Sequence, residues 1–485
     1  MTRKSRTVLF FICVFLFLVS AGVVVFYSQG YRFNFENKKV AQTGAFYFKV
    51  LPKSSQIYLN GQLKKKTDFI FGSALIENLL PKTYNVQIKK EGYISWEKTL
   101  EIKEKQVTEA KNIVLIPEKL SFTALEKDGQ VKDFFFSPDK KKIILEEIRE
   151  NGWQISLYDL KNNVKSYLIA EKDITKFTAG TEADFLSLEF SPDSKRILLK
   201  VSSKKAEKYF ILELEKNPPR LISLGFLGTD IEDISFNPQT SQKIFFTKIS
   251  KKKNKESEIF QTDLFEADLE SEKISQTILS NLITYGISEE NIFFISNEGF
   301  LFKTTDLSGK KQEKLSLSPF FLKKEEKLQL LVNSSEILLK EGDNLYFFIQ
   351  DSKEFKKLSI SANSFSFSPD FKKIVYFNNY EIWILFLKEK LEQPQKKAGE
   401  ETFLTRFSEE IGQVLWLTDH YLIFNTGNKI KIAEIDDRDK INIVDLFSEK
   451  EQVEFKNSKI FWSKETKKLY ILSEGNLFIS EKITP

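Results

Sequence analysis

The chain holds one cysteine, Cys13, and one histidine, His420, in 485 residues. Cys13 lies inside an apolar run, and with no second cysteine no intrachain disulfide can form. A single histidine leaves no nitrogen and sulfur cluster for a zinc site, and only one candidate base for a Ser–His–Asp triad. The sequence also lacks a G-x-S-x-G elbow, a phosphate-binding glycine loop and an EF-hand loop. An excess of charge of one sign is missing too. The 73 basic and 68 acidic residues leave +5, which gives no nucleic-acid footprint. These absences predict no metal, no cofactor, no catalytic constellation and no nucleic-acid partner.

Proline (12) and glycine (19) are sparse, whereas 46 Phe and 15 Tyr favour aromatic-rich strands. With 41% hydrophobic and 29% charged residues, the composition is that of a folded protein.

The one long hydrophobic run is Val8 to Tyr27, preceded by Arg3, Lys4 and Arg6. Twenty residues at ~1.5 Å each span roughly the ~30 Å hydrocarbon core. The basic residues predict a cytoplasmic N-terminus, with the chain from about Gln29 onward outside the cell membrane. A cleaved leader is the alternative, since Val19-Ser20-Ala21 is a tolerable cleavage site. The apolar residues continue past it through Val23 to Phe26, which favours a retained single-pass anchor over residues 1–28.

Residues 29–117 read as a small β-domain. Ala45 to Val50 and Gln56 to Leu59 are strands, Asn60-Gly61 is a hairpin turn, and Tyr84, Val86 and Ile88 alternate with polar residues. Trp96, then Leu100 and Ile102, repeat that alternation, and the unit suits a small sandwich. It resembles the PEGA domain on Pro52, Ile57-Tyr58-Leu59-Asn60-Gly61, Leu79-Leu80-Pro81 and Gly92-Tyr93 with Trp96. Lys53-Ser54-Ser55 stands where the name-giving residues fall, and Lys82 replaces a glycine. The resemblance implies an envelope location and no enzyme activity.

From residue 118 to 485 the chain repeats. Phe-Ser-Pro-Asp occurs at Phe136, Ser137, Pro138, Asp139, at Phe190, Ser191, Pro192, Asp193, and at Phe367, Ser368, Pro369, Asp370. Degenerate copies include Phe236-Asn237-Pro238-Gln239, Val332-Asn333-Ser334-Ser335 and Trp462-Ser463-Lys464-Glu465. Unit starts fall near 131, 185, 231, 282, 328, 363, 411 and 458. Strand-rich repeats at this spacing predict an all-β architecture ending in a β-propeller, eight-bladed, with seven the alternative count. The motif resembles the WD40-like repeat of the TolB-type propellers. Its residues build turns: Pro fixes φ, Ser and Asp accept backbone N–H bonds, and Phe packs between blades. The last unit is one strand short, and Leu120 to Leu125 is expected to supply it, closing the ring.

His420 follows Asp419 at a predicted turn and is expected to be solvated there. The lysine tract from Lys251 to Lys255 reads as a solubilising hairpin tip. Three functions compete. The first is an envelope binding or scaffold protein facing a polymer or protein partner. The second is a hydrolase acting on glycan or peptide through channel carboxylates. The third is a sensor, which would need a partner because seven residues precede the apolar run.

Overall fold

The computed structural model describes residues 3–484 apart from 35–37, 179, 205, 217, 255–256, 322–325, 334–335 and 447–454, with backbone alone at 3–4, 250–254 and 257–260. Lys255 and the pair Ser334-Ser335 lie outside the described residues, as do the side chains of the rest of the lysine tract.

The N-terminal helix runs Arg3–Ser28, and Ser5–Ser28, with mean hydropathy 3.1, is long and apolar enough to cross a membrane. Its Phe and Leu side chains are exposed and Cys13 lies among them, while at its C-terminal end Tyr31 and Arg32 pack on Phe26 and Tyr27. A two-stranded hairpin, Tyr31–Asn34 with Lys39–Gln42, leads into the small unit.

That unit has two sheets. One orders Gln62–Lys66, Gln56–Leu59, Thr83–Lys89 and Trp96–Glu101, all antiparallel. The other places Gly44–Leu51 between antiparallel Ser73–Leu79 and parallel Val107–Val114. Alternate residues of both sheets meet in one core, with Phe46, Phe48 and Val50 against Ile57, Val86, Ile88 and Leu100. Asn60 and Gly61 both have positive φ (50° and 78°), the geometry of a two-residue hairpin loop.

Among the described residues, the remainder forms eight consecutive groups of four antiparallel strands. Their first strands are Val131–Phe136, Asp184–Phe190, Ile231–Asn237, Leu279–Ile287, Leu328–Asn333, Ser364–Phe367, Ile411–Thr418 and Lys459–Ser463. The third and fourth groups join into one sheet because the long strand Ser257–Asp268 also pairs with Leu279–Ile287. The eighth group takes its fourth strand from Phe122–Glu126, which pairs antiparallel with Asn476–Ser480. The expected closing pair is therefore present.

Second strands read as continuous apolar runs because both their faces are buried. Ile144 packs toward the second group, while Ile143 and Leu145 on either side of it pack toward the eighth. The same division holds around the molecule. Each consecutive pair of groups shares a hydrophobic cluster, the eighth with the first included. Radial sheets joined face to face by such a cycle of cores form a β-propeller.

Candidate functional site

The three Phe-Ser-Pro-Asp corners are built alike. Ser137 Oγ donates to Asp139 at 2.6 Å and accepts from the Lys142 N–H, while Asp139 accepts from the Lys141 N–H. Ser191 with Asp193, and Ser368 with Asp370, repeat all three bonds. Burial pushes the Asp139, Asp193 and Asp370 carboxyls up, but the serine hydroxyl, the backbone N–H groups and nearby lysine or arginine charges hold them below the usual range. Each phenylalanine enters a junction between groups: Phe136 stacks on Phe461 at 3.8 Å, Phe190 joins the first-to-second core, and Phe367 the fifth-to-sixth. Neighbouring corners are tied together, the Asp139 N–H donating to Ser194 Oγ and Arg196 to the Ser241 carbonyl. These aspartates are engaged chiefly within their own turns.

The first strands of the second to fifth groups line a cavity of about 700 Å³. Glu189, Asp233, Ser235, Tyr285, Lys327 and Gln329 face it. Gly286 lets two of these strands meet, since a Cβ there would lie 2.8 Å from the Leu330 carbonyl oxygen and from Val332 Cγ2. Asp233 is paired with Lys327 at 3.4 Å. Glu189 is reached by solvent yet surrounded by protein, and it has no cation partner among the described residues. Burial pushes its carboxyl up to about 7, opposed only by the Phe236 N–H. Burial likewise raises the Tyr285 hydroxyl, with the Asp233 and Glu189 charges adding to it. One cavity thus holds an ion-paired aspartate and a carboxyl that changes charge near neutrality.

A second cluster joins the small unit to the propeller. Lys98, wholly buried, directs Nζ to the carbonyls of Asp436, Arg438 and Lys440 at 2.7, 2.7 and 2.8 Å and to Glu434 at 2.9 Å. Four acceptors share three protons. Glu434 also accepts from the Trp96 indole at 2.8 Å and from Asn442. Burial raises the Glu434 carboxyl, opposed by Lys98 and the indole. Around this centre, the Thr99 N–H donates to Asp439, Arg438 to the Glu109 carbonyl, and Gln393 exchanges two bonds with the 107–109 backbone. The sequence carries a signal for Lys98: Trp96, Lys98 and Leu100 share one face of a strand, so the lysine is on the buried side.

His420 departs from expectation. It sits at the turn between Ile411–Thr418 and Tyr421–Thr426, but burial pushes its imidazole down to about 4, with the Lys373 and Lys390 charges adding. The cause is an excursion over residues 388–400 that, with the small unit, roofs this turn. Among the described residues no side chain hydrogen-bonds its ring, and none brings three His, Cys, Asp or Glu together as a metal would require. The backbone of Lys251 to Asn254 extends the strand Thr240–Asn254 into a long hairpin arm.

No family model matches the chain, and no curated protein matches it in sequence. Solved structures with similar backbones include the computationally designed Ika8 protein, at 10% identity and TM-score 0.44, covering 74% of this chain and 98% of that one. The WD40 domain of SCAP from fission yeast has 10% identity and TM-score 0.42, covering 76% and 99%. An oligogalacturonate lyase in complex with manganese has 11% identity and TM-score 0.39, covering 76% and 97%.

Proposed function

We propose that the protein is a membrane-anchored scaffold of the cell envelope, holding a propeller at a set orientation outside the bilayer to bind an envelope polymer or a protein partner. The N-terminal helix is its single-pass anchor, with Arg3, Lys4 and Arg6 on the cytoplasmic side. The small unit is a PEGA-like stalk, and the eight strand groups are eight blades. The observation that carries this reading is the Lys98 cluster, which fixes stalk to propeller through a fully buried cation. A flexible linker would let the propeller rotate; this joint presents one face. The ligand-facing surface is the channel end, where Glu189, Tyr285 and Gln329 offer hydrogen-bonding groups in a cavity large enough for a small ligand group.

The test is a panel of envelope glycans and peptides on the full-length protein in nanodiscs. Saturable binding without product, weakened at least tenfold by Glu189→Lys, is expected. No binding to any of them, or binding untouched by the substitution, overturns the channel assignment.

One observation favours a hydrolase as the second reading. A carboxyl pushed up to about 7 (Glu189) lines the same cavity as an ion-paired aspartate (Asp233), the two kinds of group that an acid–base pair would use. Release of new reducing ends or amino termini from the same panel, abolished by Glu189→Gln, would establish it over the scaffold.

A further inference from the structure

We infer that the pocket beside His420 is a binding site for an oxyanion, a carboxylate or phosphate borne on a group of about monosaccharide size. The pocket holds about 380 Å³ and lies between the sixth corner, the excursion over residues 388–392 and the turn of the seventh group. It is separate from the channel cavity and shares no residue with it.

Most charges around it already have partners. Lys373 is bound to Asp370 at 2.9 Å, Lys388 to Glu336 at 2.7 Å, and Asp436 is clamped by the Arg438 guanidinium. Glu434 behind the turn is held by Lys98. Glu389, Glu392 and Lys372 stand at the exposed mouth. Lys390 is the exception. Its ammonium is half-buried, has no ion pair among the described residues, and donates only to the neutral Pro394 carbonyl at 3.1 Å. Burial lowers its affinity for the proton, with Arg438 and Lys373 adding to that and Asp436 and Glu392 opposing it.

His420 lines the same pocket, its ring free of hydrogen bonds, and a small recess of about 30 Å³ next to it again borders Lys390. A half-buried cation whose one bond goes to a neutral carbonyl is incompletely satisfied, and a neutral imidazole beside it is a donor waiting for a proton. An oxyanion between them removes both deficits, accepting a charge-assisted bond from Lys390 and drawing a proton onto His420. Phe386 and the exposed Leu391 give its carbon frame an apolar wall. Binding therefore strengthens as pH falls, because the imidazolium form holds the anion better.

A single histidine makes the test direct. In the full-length protein, labelled with [13Cε1]-histidine in nanodiscs, one ring resonance reports His420. Without added anion it should titrate near pH 4. Saturating inorganic phosphate should raise that midpoint by about one unit or more, which corresponds to about tenfold tighter binding to the imidazolium form. Acetate and glucuronate arms separate carboxylate from phosphate recognition, and methyl glucoside should leave the midpoint unmoved. Lys390→Met should weaken the effective anion at least tenfold, whereas Lys390→Arg should retain it. Should Lys390→Met fail to fold, Lys390→Gln is read by the same criterion. A midpoint indifferent to all three anions overturns the site, as does an equal response after Lys390 is neutralised.

Discussion

Glu434 and Glu189 are both carboxyls that burial pushes above their ordinary range, yet their surroundings differ in every other respect. Glu434 meets a buried ammonium, an indole and an amide, and its cation is held by three further carbonyls. Glu189 has one backbone N–H on a wall open to water. A buried charge whose bonds are all made within the protein is an element of architecture. One that lines a cavity open to water and is left without a counter-charge is available to something that arrives.

Breaking the first half of that contrast should have the largest effect. Lys98→Met strands a buried carboxylate and three carbonyls, at an expected cost of about 3–5 kcal/mol. A urea titration would register it, together with new protease cleavage between stalk and propeller. Adding Glu434→Leu should recover most of the loss; a cost below about 1 kcal/mol for the single change would show that the joint is not held by this cluster.

On the wall side, Gly286→Ala forces a methyl against the Leu330 carbonyl and should cost about 1–3 kcal/mol by the same titration. Trp96→Phe removes one bond to Glu434 while keeping the packing, and about 1 kcal/mol is expected. Glu189→Gln should change stability least but alter its pH dependence. A folded-state pKa raised to about 7 means this group's contribution is intact below about pH 4 and declines as pH rises through 7. Urea midpoints between pH 4.5 and 8 should fall less steeply in the glutamine variant. Parallel curves would place Glu189 in ordinary solvent.

The repeating parts were legible because their causes are local. Phe, Ser, Pro and Asp build a corner within six residues, so the unit starts near 131, 185, 231, 328, 363, 411 and 458 lie within a residue of the observed strands. The fourth, placed near 282, begins three residues earlier, at Leu279. Strand alternation put Lys98 on a buried face, but its acceptors lie more than 330 residues away and no local pattern announces them. Glu189 was hidden because a register shift between Phe185 and Ser187 breaks the period-2 pattern of its strand. His420 was placed at the right turn and in the wrong environment, because a neighbouring group's excursion covers it.

The pairing of Phe122–Glu126 with Asn476–Ser480 has a consequence for biogenesis. The earliest propeller strand to be synthesised waits for the latest, and until that clasp shuts two raw sheet edges face whatever else is in the compartment. Loss of Asn476–Ser480 alone would therefore yield not a slightly shorter protein but an open, adhesive arc. Quality control that senses the clasp would be reading, in one contact, that every strand of the ring between these two has been made and has taken its place.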